Sequence, residues 1–463
     1  MYAVVNLAGV VEASAAWGYV KRLGFALIAE TKVEIGGSKI DEQYGDWLNI
    51  WYELSHKVGQ ERGIAKMIGD VSELTTLSKA KKDGNYWLYI PLAYWFNRHN
   101  GLALPLIALQ YHDVRVTIQY NGITNCYNYE GPEDPAPVIA MSDSYLLIDY
   151  VYLDSEERKR FAQASHEYLI EQLQFTGSET LSLTSNKFRL NFNHPSKFLI
   201  WVNKPERWNV MQQFLAWSDT SDWTTALEQA GKLVWAATRT SFAAEDGSGY
   251  IVVDSDGGGI GAPGNATLLA LGGKVSAQAA FAMTGTKYSA DPSNIIIIEN
   301  NLTVADLSKA VGALTEGVST AISGYLKANG ISVLNIFNYG LNIDGTGNPT
   351  YQAKLQLNGH DRFQIRDGAY FNYVQPYQHF SNTPSDGVNV YSFALKPEDH
   401  QPSGTCNFSR IDNATLNVYP VGTNTKSEKD ELSVTANDLL NVYTVNYNVL
   451  RVMSGMAGTA YSN

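Results

Sequence analysis

A period-two alternation of apolar and polar residues is the feature that most restricts this chain. Val114, Val116, Ile118 and Tyr120 alternate with Arg115, Thr117 and Gln119. Successive side chains of a strand point to opposite faces, so such a segment turns one face to a core and one to water. YLLIDYVYLD (145–154), EYLIEQLQF (167–175), FRLNF (188–192) and KFLIWV (197–202) read as strands too, separated by turn-forming Gly, Ser, Asn and Pro. After residue 350 the rhythm returns in AKLQLNG, VNVYSFAL, ATLNVYPV and YTVNYNVLRV. The 28 Tyr, 16 Phe and 10 Trp favour strands, and 39 Gly supply turns. At 463 residues the chain exceeds what one hydrophobic core supports, which predicts an all-β protein of two domains.

Punctuation within the pattern sets the organisation. Lys32 to Ile40 alternates around Gly36-Gly37, predicting a hairpin with a two-residue turn that needs positive φ. Trp47, Ile50, Trp51 and Leu54 then recur on one helical face, with Asp46 placed to cap the helix. Asp154 and Glu157 form a capping box for the helix EERKRFAQ (156–163), which puts a domain junction near Ala164 and predicts domains at 1–164 and 165–463. Between about residues 203 and 350 the strand rhythm gives way to a stretch of different character, read as an insertion. It holds a predicted amphipathic helix capped by Thr303 and Asp306, with Val304, Leu307, Val311, Leu314, Val318, Ile322 and Tyr325 on one face. All ten Trp precede Ala236, so the halves are not close sequence repeats.

Chemistry-bearing patterns are scarce. A net charge of −12 argues against gripping nucleic acid by its phosphates. Cys126 and Cys406 lie far apart without metal spacing, and the eight His are scattered, so neither a disulfide framework nor a metal site is expected. No apolar run reaches the roughly 18 residues of a spanning helix; GLALPLIAL (101–109) is the nearest, interrupted by Pro105. AVVNLAGVV (3–11) loosely mimics a signal-peptide core but lacks a preceding Lys or Arg. The glycines at 257–264 lack the Gly-Lys-Ser/Thr ending of a phosphate loop, and Asp254-Ser-Asp256 opens a calcium-like loop that has Gly258 and Asn265 where ligands are needed. There is no G-x-S-x-G elbow. Four N-x-S/T sequons begin at Asn265, Asn301, Asn407 and Asn413; if any is glycosylated, Asn265 in its polar loop is the first candidate. The reading is a protein without catalytic residues, cofactor or metal.

Several long segments carry a resemblance. These are VEIGGSKIDEQYGDWLNIW (33–51), GLALPLIALQYHDVRV (101–116), DYVYLDSEERKRFAQASHEYLIEQLQFTGSE (149–179), RLNFNHPSKFLIW (189–201), LQLNGHDRF (355–363), YFNYVQPYQ (370–378), YSFALKPEDHQPSGTCNFSRIDNATL (391–416) and YNVLRVMSGMAGTAYSN (447–463). Together they closely resemble the major capsid proteins of nucleocytoplasmic large DNA viruses, those of chlorella viruses and their relatives above all. The resemblance implies a double jelly roll, two eight-stranded antiparallel sandwiches, with the 203–350 insertion facing outward from the second. It also implies a homotrimeric, pseudo-hexagonal capsomer, with neighbouring capsomers, penton proteins and minor capsid proteins as partners, in a virion capsid assembled in the host cytoplasm.

Family members carry an N-terminal arm and opening strands before the region matching residue 24. The first jelly roll is therefore expected either to be incomplete at its start or to take those strands from residues 1–23, another exon or an upstream start. Trp47 and Trp51, with the turn-rich segment 400–415, are expected to buttress the sandwiches or their contacts. The reading from another class is a secreted β-sandwich carbohydrate-active enzyme or carbohydrate-binding protein, which would need convergent carboxylates or an exposed aromatic platform.

Overall fold

The computed structural model describes residues 1–8, 17–75, 85–122, 125–129, 141–182, 186–205, 250–253, 267–270, 336–340, 347–421 and 438–461. The helix expected after Thr303, the glycine-rich loop at 254–265 and the sequons at Asn265 and Asn301 lie outside the described residues.

The first half contains β1 (Tyr2–Ala8), β2 (Trp17–Tyr19), β3 (Ile28–Ile35), β4 (Ser38–Tyr44), β5 (Asn85–Pro91), β6 (Val114–Tyr120), β7 (Tyr127–Tyr129) and β8 (Met141–Leu147). Its helices are α1 (Leu23–Leu27), α2 (Gly45–Ser55), α3 (Glu61–Ile68) and α4 (Ser72–Thr75). The strands pair antiparallel as β5-β1-β8, β4-β3-β6 and β2-β7. Residues 1–23 thus contribute two strands, and β1 is central in its sheet.

Gly36 and Gly37 adopt φ of 58° and 80° and close the β3–β4 hairpin with Ile35 opposite Ser38, the turn whose twist matches its strands. The strand expected at 145–154 sits earlier, as β8. Its ladder ends where Tyr2 faces Leu147, so among the described residues no strand lies beside 148–153, which run exposed or half-exposed toward the helix α5 (Ser155–Gln163). Asp154 caps α5 as expected, accepting from the Glu156 and Glu157 amides at 3.0 and 2.9 Å.

The second half contains β9 (His166–Thr180), β10 (Asn186–Arg189), β11 (Pro195–Lys204), β12 (Tyr250–Val253), β13 (Thr267–Ala270), β14 (Thr350–Leu357), β15 (His360–Asp361), β16 (Arg366–Asp367), β17 (Val388–Ser392), β18 (Cys406–Asn407), β19 (Ala414–Pro420), β20 (Leu439–Met453) and β21 (Met456–Thr459). One sheet runs β17-β11-β20-β21, with β9 on β20 and β18 on β11; the other runs β10-β19-β14-β15, with β16 on β14. Between them lies a core of Trp201, Phe371, Leu355, Leu416 and Val418. β12 and β13 form a separate hairpin.

The main core of the first half does not stop at its own boundary. Val5, Leu23, Val33, Ile50 and Leu54 belong to one buried cluster with Phe198, Ile200, Val202, Val390, Tyr443 and Val445 of β11, β17 and β20. A fully buried side chain of this size contributes about 1.5–3 kcal/mol. Even a fraction of that burial falling across the boundary rivals the ~5–15 kcal/mol net stability of a whole domain, so the halves pack as one body.

Within the first half, Gly45 lets the start of α2 sit against the α1–β3 segment. A Cβ there would lie 2.3 Å from the Phe25 carbonyl oxygen and 2.4 Å from that of Ile28. Backbone cannot yield as a flexible side chain would, so Gly45→Ala is expected to destabilise by about 3 kcal/mol. Gly63→Ala, in exposed α3 with nothing within 4 Å of the added carbon, is expected to stabilise by up to about 1 kcal/mol. Thermal melts of the two variants check both signs.

Candidate functional site at the sandwich junction

Helix α2 delivers the aromatic side chains of the junction. Its N-cap is Tyr44, in extended backbone and without a side-chain cap bond, so the helix begins two residues earlier than expected and Asp46 falls in its first turn. Asp46 does not cap. Its carboxylate instead accepts from Lys204 Nζ at 2.5 Å and from the Tyr339 hydroxyl at 3.3 Å, both in the second half.

The next residue, Trp47, is buried, and Trp51, one turn on, is half-buried. The two rings stack at 5.9 Å, and each stacks nearly parallel on Phe198 of β11, at 6.4 and 6.3 Å with interplanar angles of 12° and 14°. Tyr443 of β20 lies 5.8 Å from Trp47, and the Arg98 guanidinium covers Trp51 at 4.6 Å. Such offset aromatic pairs add about 0.5–1.5 kcal/mol each beyond their buried area.

Beside this stack sits a buried charge cluster. Glu171 of β9 accepts from Arg98 at 2.6 Å, from Lys197 of β11 at 3.0 Å, and contacts His400 Nδ1 at 3.1 Å. Lys197 also donates to the Asp399 carbonyl at 2.8 Å, and the Tyr447 hydroxyl donates to the His400 carbonyl at 3.0 Å. Burial pushes the Glu171 carboxyl up, but Arg98, His400 and Lys197 outweigh it and hold the group below its ordinary value. Burial also draws the Lys197 ammonium down to about 8, against the opposing pull of Glu171. One carboxylate therefore ties together two strands of the second sandwich, the 399–400 loop and Arg98 of the first.

Two further contacts cross the boundary. Buried Glu53 of α2 accepts from Arg22 at 2.6 Å, and from the Ser385 amide and hydroxyl at 2.9 and 2.6 Å. Buried Asp41 of β4 accepts from the Leu173 amide of β9 at 2.9 Å and from Gln43 at 3.1 Å. Burial raises the Asp41 carboxyl to about 7, its hydrogen bonds only partly offsetting the loss of water.

The structure brings Trp47, Trp51 and His400 to this junction, whereas the rest of the 400–415 segment braces the second sandwich alone. Cys406 and Asn407 pair with β11, the Asn407 side chain accepts from the Ser409 amide at 3.1 Å, and exposed Asn413 accepts from the Thr415 hydroxyl at 3.2 Å. Among the described residues no cluster of three or more His, Cys, Asp and Glu is placed to hold a metal ion, and no helix is long and apolar enough to cross a membrane. Both cysteines are free; burial pushes the Cys126 thiol up to about 12.

Two family models match the chain in succession: major capsid protein N-terminus over residues 3–154, and large eukaryotic DNA virus major capsid protein over 157–458. Capsid protein 1 of Acanthamoeba polyphaga mimivirus is 40% identical across 96% of this chain and 84% of its own length. The major capsid protein of Phaeocystis pouchetii virus is 42% identical across 95% and 82%. Among solved structures, PBCV-1 VP54 aligns over 100% of this chain and 90% of its own with a TM-score of 0.62 at 32% identity. The Faustovirus major capsid protein gives 0.52 at 11% identity, a likeness of fold. With the paired antiparallel sandwiches, these likenesses make the fold a double jelly roll.

Glu171→Ala leaves the buried Lys197 ammonium without its carboxylate and is expected to cost about 3–5 kcal/mol. Removing the exposed Glu167–Arg451 pair at 2.8 Å is expected to cost under about 1 kcal/mol; denaturant unfolding separates the two.

A pH series tests Asp41. With the folded-state pKa about 7 and the unfolded one near 3.9, the folded state holds the extra proton between those values. The contribution of Asp41 is full below roughly pH 4 and is lost as pH rises through about 7. Relative to Asp41→Asn, the wild-type melting temperature is expected to fall between these limits and level off above them.

Proposed function

Because the chain belongs to the large eukaryotic DNA virus major capsid protein family, we propose that its two sandwiches act as one rigid tile and that three copies form a pseudo-hexagonal capsomer. The protein is a structural major capsid protein of a large DNA virus. Its place is the virion shell, where it assembles with itself and with other capsid components.

The observation that carries the reading is the shared core. Trp47 and Trp51 stacked on Phe198, with Arg98 paired to Glu171, fix one sandwich against the other. Three chains of two similar sandwiches then present six similar blocks around a three-fold axis, which is how a trimer fills a six-sided place in a shell. A hinge between the sandwiches would forfeit that shape.

The finer assignments follow from the same reading. The domains run 1–164 and 165–463, and the 203–350 insertion lies at the outward end, where a loop can vary without disturbing either core. Neighbouring capsomers, penton proteins and minor capsid proteins are the partners, and assembly takes place in the host cytoplasm. The protein catalyses nothing: the buried carboxylates Asp41, Glu53 and Glu171 are each engaged by protein donors at the junction.

Sedimentation of the purified chain tests this. A species of about 150 kDa, three copies of a 51.0 kDa chain, is expected, with a six-sided outline in negative stain. A monomer at micromolar concentration would contradict it.

A further inference from the structure

The segment read as an insertion leaves the second sandwich after Lys204, the last residue of β11, and comes back to it through residues 336–340. Both ends are buried. Val202 and Asn203 precede the exit with no exposed surface, and on the return Phe337 and Tyr339 belong to the core shared by the two sandwiches. Both ends also reach one carboxylate of the other sandwich. Asp46 Oδ2 accepts from Lys204 Nζ at 2.5 Å, and Asp46 Oδ1 accepts from the Tyr339 hydroxyl at 3.3 Å. Each oxygen serves one end.

The acceptor itself is fixed from below. Asp46 follows Gly45, where an added Cβ would lie 2.3 Å from the Phe25 carbonyl oxygen and 2.4 Å from that of Ile28. It lies in the first turn of α2, where the helix dipole favours a carboxylate. The returning end is gripped from the other side as well. A Cβ on Gly387, just before β17, would lie 2.1 Å from the Tyr339 carbonyl oxygen, and the Gly347 amide donates to the Asp386 carboxylate at 2.7 Å. Two stretches far apart in sequence therefore converge on an acceptor that has little room to move.

We propose that Asp46 is a clasp at the base of the insertion: one carboxylate of the first sandwich holds the exit and the return of a segment that interrupts the second, so that the two ends loosen or tighten together. The proposal rests on the reading of residues 203–350 as an insertion and adds what closes its base.

Two arguments favour a clasp over two separate contacts. A lone surface ion pair contributes little, because two long side chains must be ordered to make it. Here Tyr339 is buried and Lys204 ends a strand that is buried up to Asn203, so much of that ordering is already in place. The cost of closing a loop also grows only with the logarithm of its length. Once both ends are tied to a fixed acceptor, the segment between them can lengthen or shorten with little effect on either core. A pull on the insertion is then delivered to α2 of the first sandwich as well as to β11 of the second.

The test is amide hydrogen exchange on the full-length chain and its variants, with a thermal melt of each and β19 as internal reference. Lys204→Met and Tyr339→Phe keep apolar bulk and remove only the donor, so the fold is expected to be kept. Lys204→Met is expected to speed exchange at 336–340, and Tyr339→Phe at 199–204, each at least about threefold, as coupled residues do. In an Asp46→Ala background neither is expected to add anything. A variant that speeds only its own end, or acts just as strongly without Asp46, would overturn the clasp. Acceleration shared equally by β19 would mean general loosening and would overturn it too. Replacing 206–335 by a short Gly/Ser linker tests the insertion reading separately. A shortened chain that melts like wild type and keeps the coupling through Asp46 supports both. One that fails to fold would overturn the insertion reading, while the full-length variants still decide the clasp.

Discussion

The stacking of Trp47 and Trp51 on Phe198 is the contact on which the rest of the structure depends. It joins a helix of the first sandwich to a central strand of the second, and both hydrophobic neighbourhoods merge around it. Aromatic stacking fixes a relative angle as well as a distance, which greasy contact alone does not. Polar contacts then ring the stack: Asp46 with Lys204, Glu53 with Ser385, and Glu171 with Arg98. Buried ion pairs add little net stability compared with apolar packing, but misplacing one partner is costly. In this protein that asymmetry holds the sandwiches in one mutual orientation.

A rigid pair of sandwiches suits a shell. In a shell built of repeated subunits, an error in the internal angle would be repeated in every copy. The C-terminal hairpin reinforces the same constraint from the other side. Gly455 accepts from the Tyr111 amide at 2.9 Å, and the His112 ring meets the Ala457 backbone at 3.1 Å. A second buried cluster, with Ile35, Ile40 and Trp95 against Ile170, Leu450 and Val452, closes the gap between the halves there.

Much of the fold was legible because strands announce themselves by alternation and turns by glycine. The β3–β4 hairpin, the Asp154 cap and the Val114–Tyr120 strand lie where the pattern put them. The strand at 145–154 was misplaced because an apolar run does not tell which residues find a ladder partner; pairing with β1 decided that. The residue type of Asp46 fits a cap, yet Gly45, pressed against two carbonyls, already lies inside the helix. Trp47 and Trp51 were legible as a buried stripe, though their partner Phe198, some 150 residues on, was not. Glu171 left a signal that went unused: it shares a strand face with Leu169, Leu173 and Phe175, and a carboxylate in an apolar register marks a buried partner. Arg98 and His400 carry no such mark, because long-range pairing is settled by topology.

The account's central claim is that the two sandwiches are one cooperative body, and calorimetric unfolding of the purified chain tests it most directly. The shared core predicts a single heat-absorption peak in which both halves melt together. Two well-separated peaks, one for each sandwich, would contradict it.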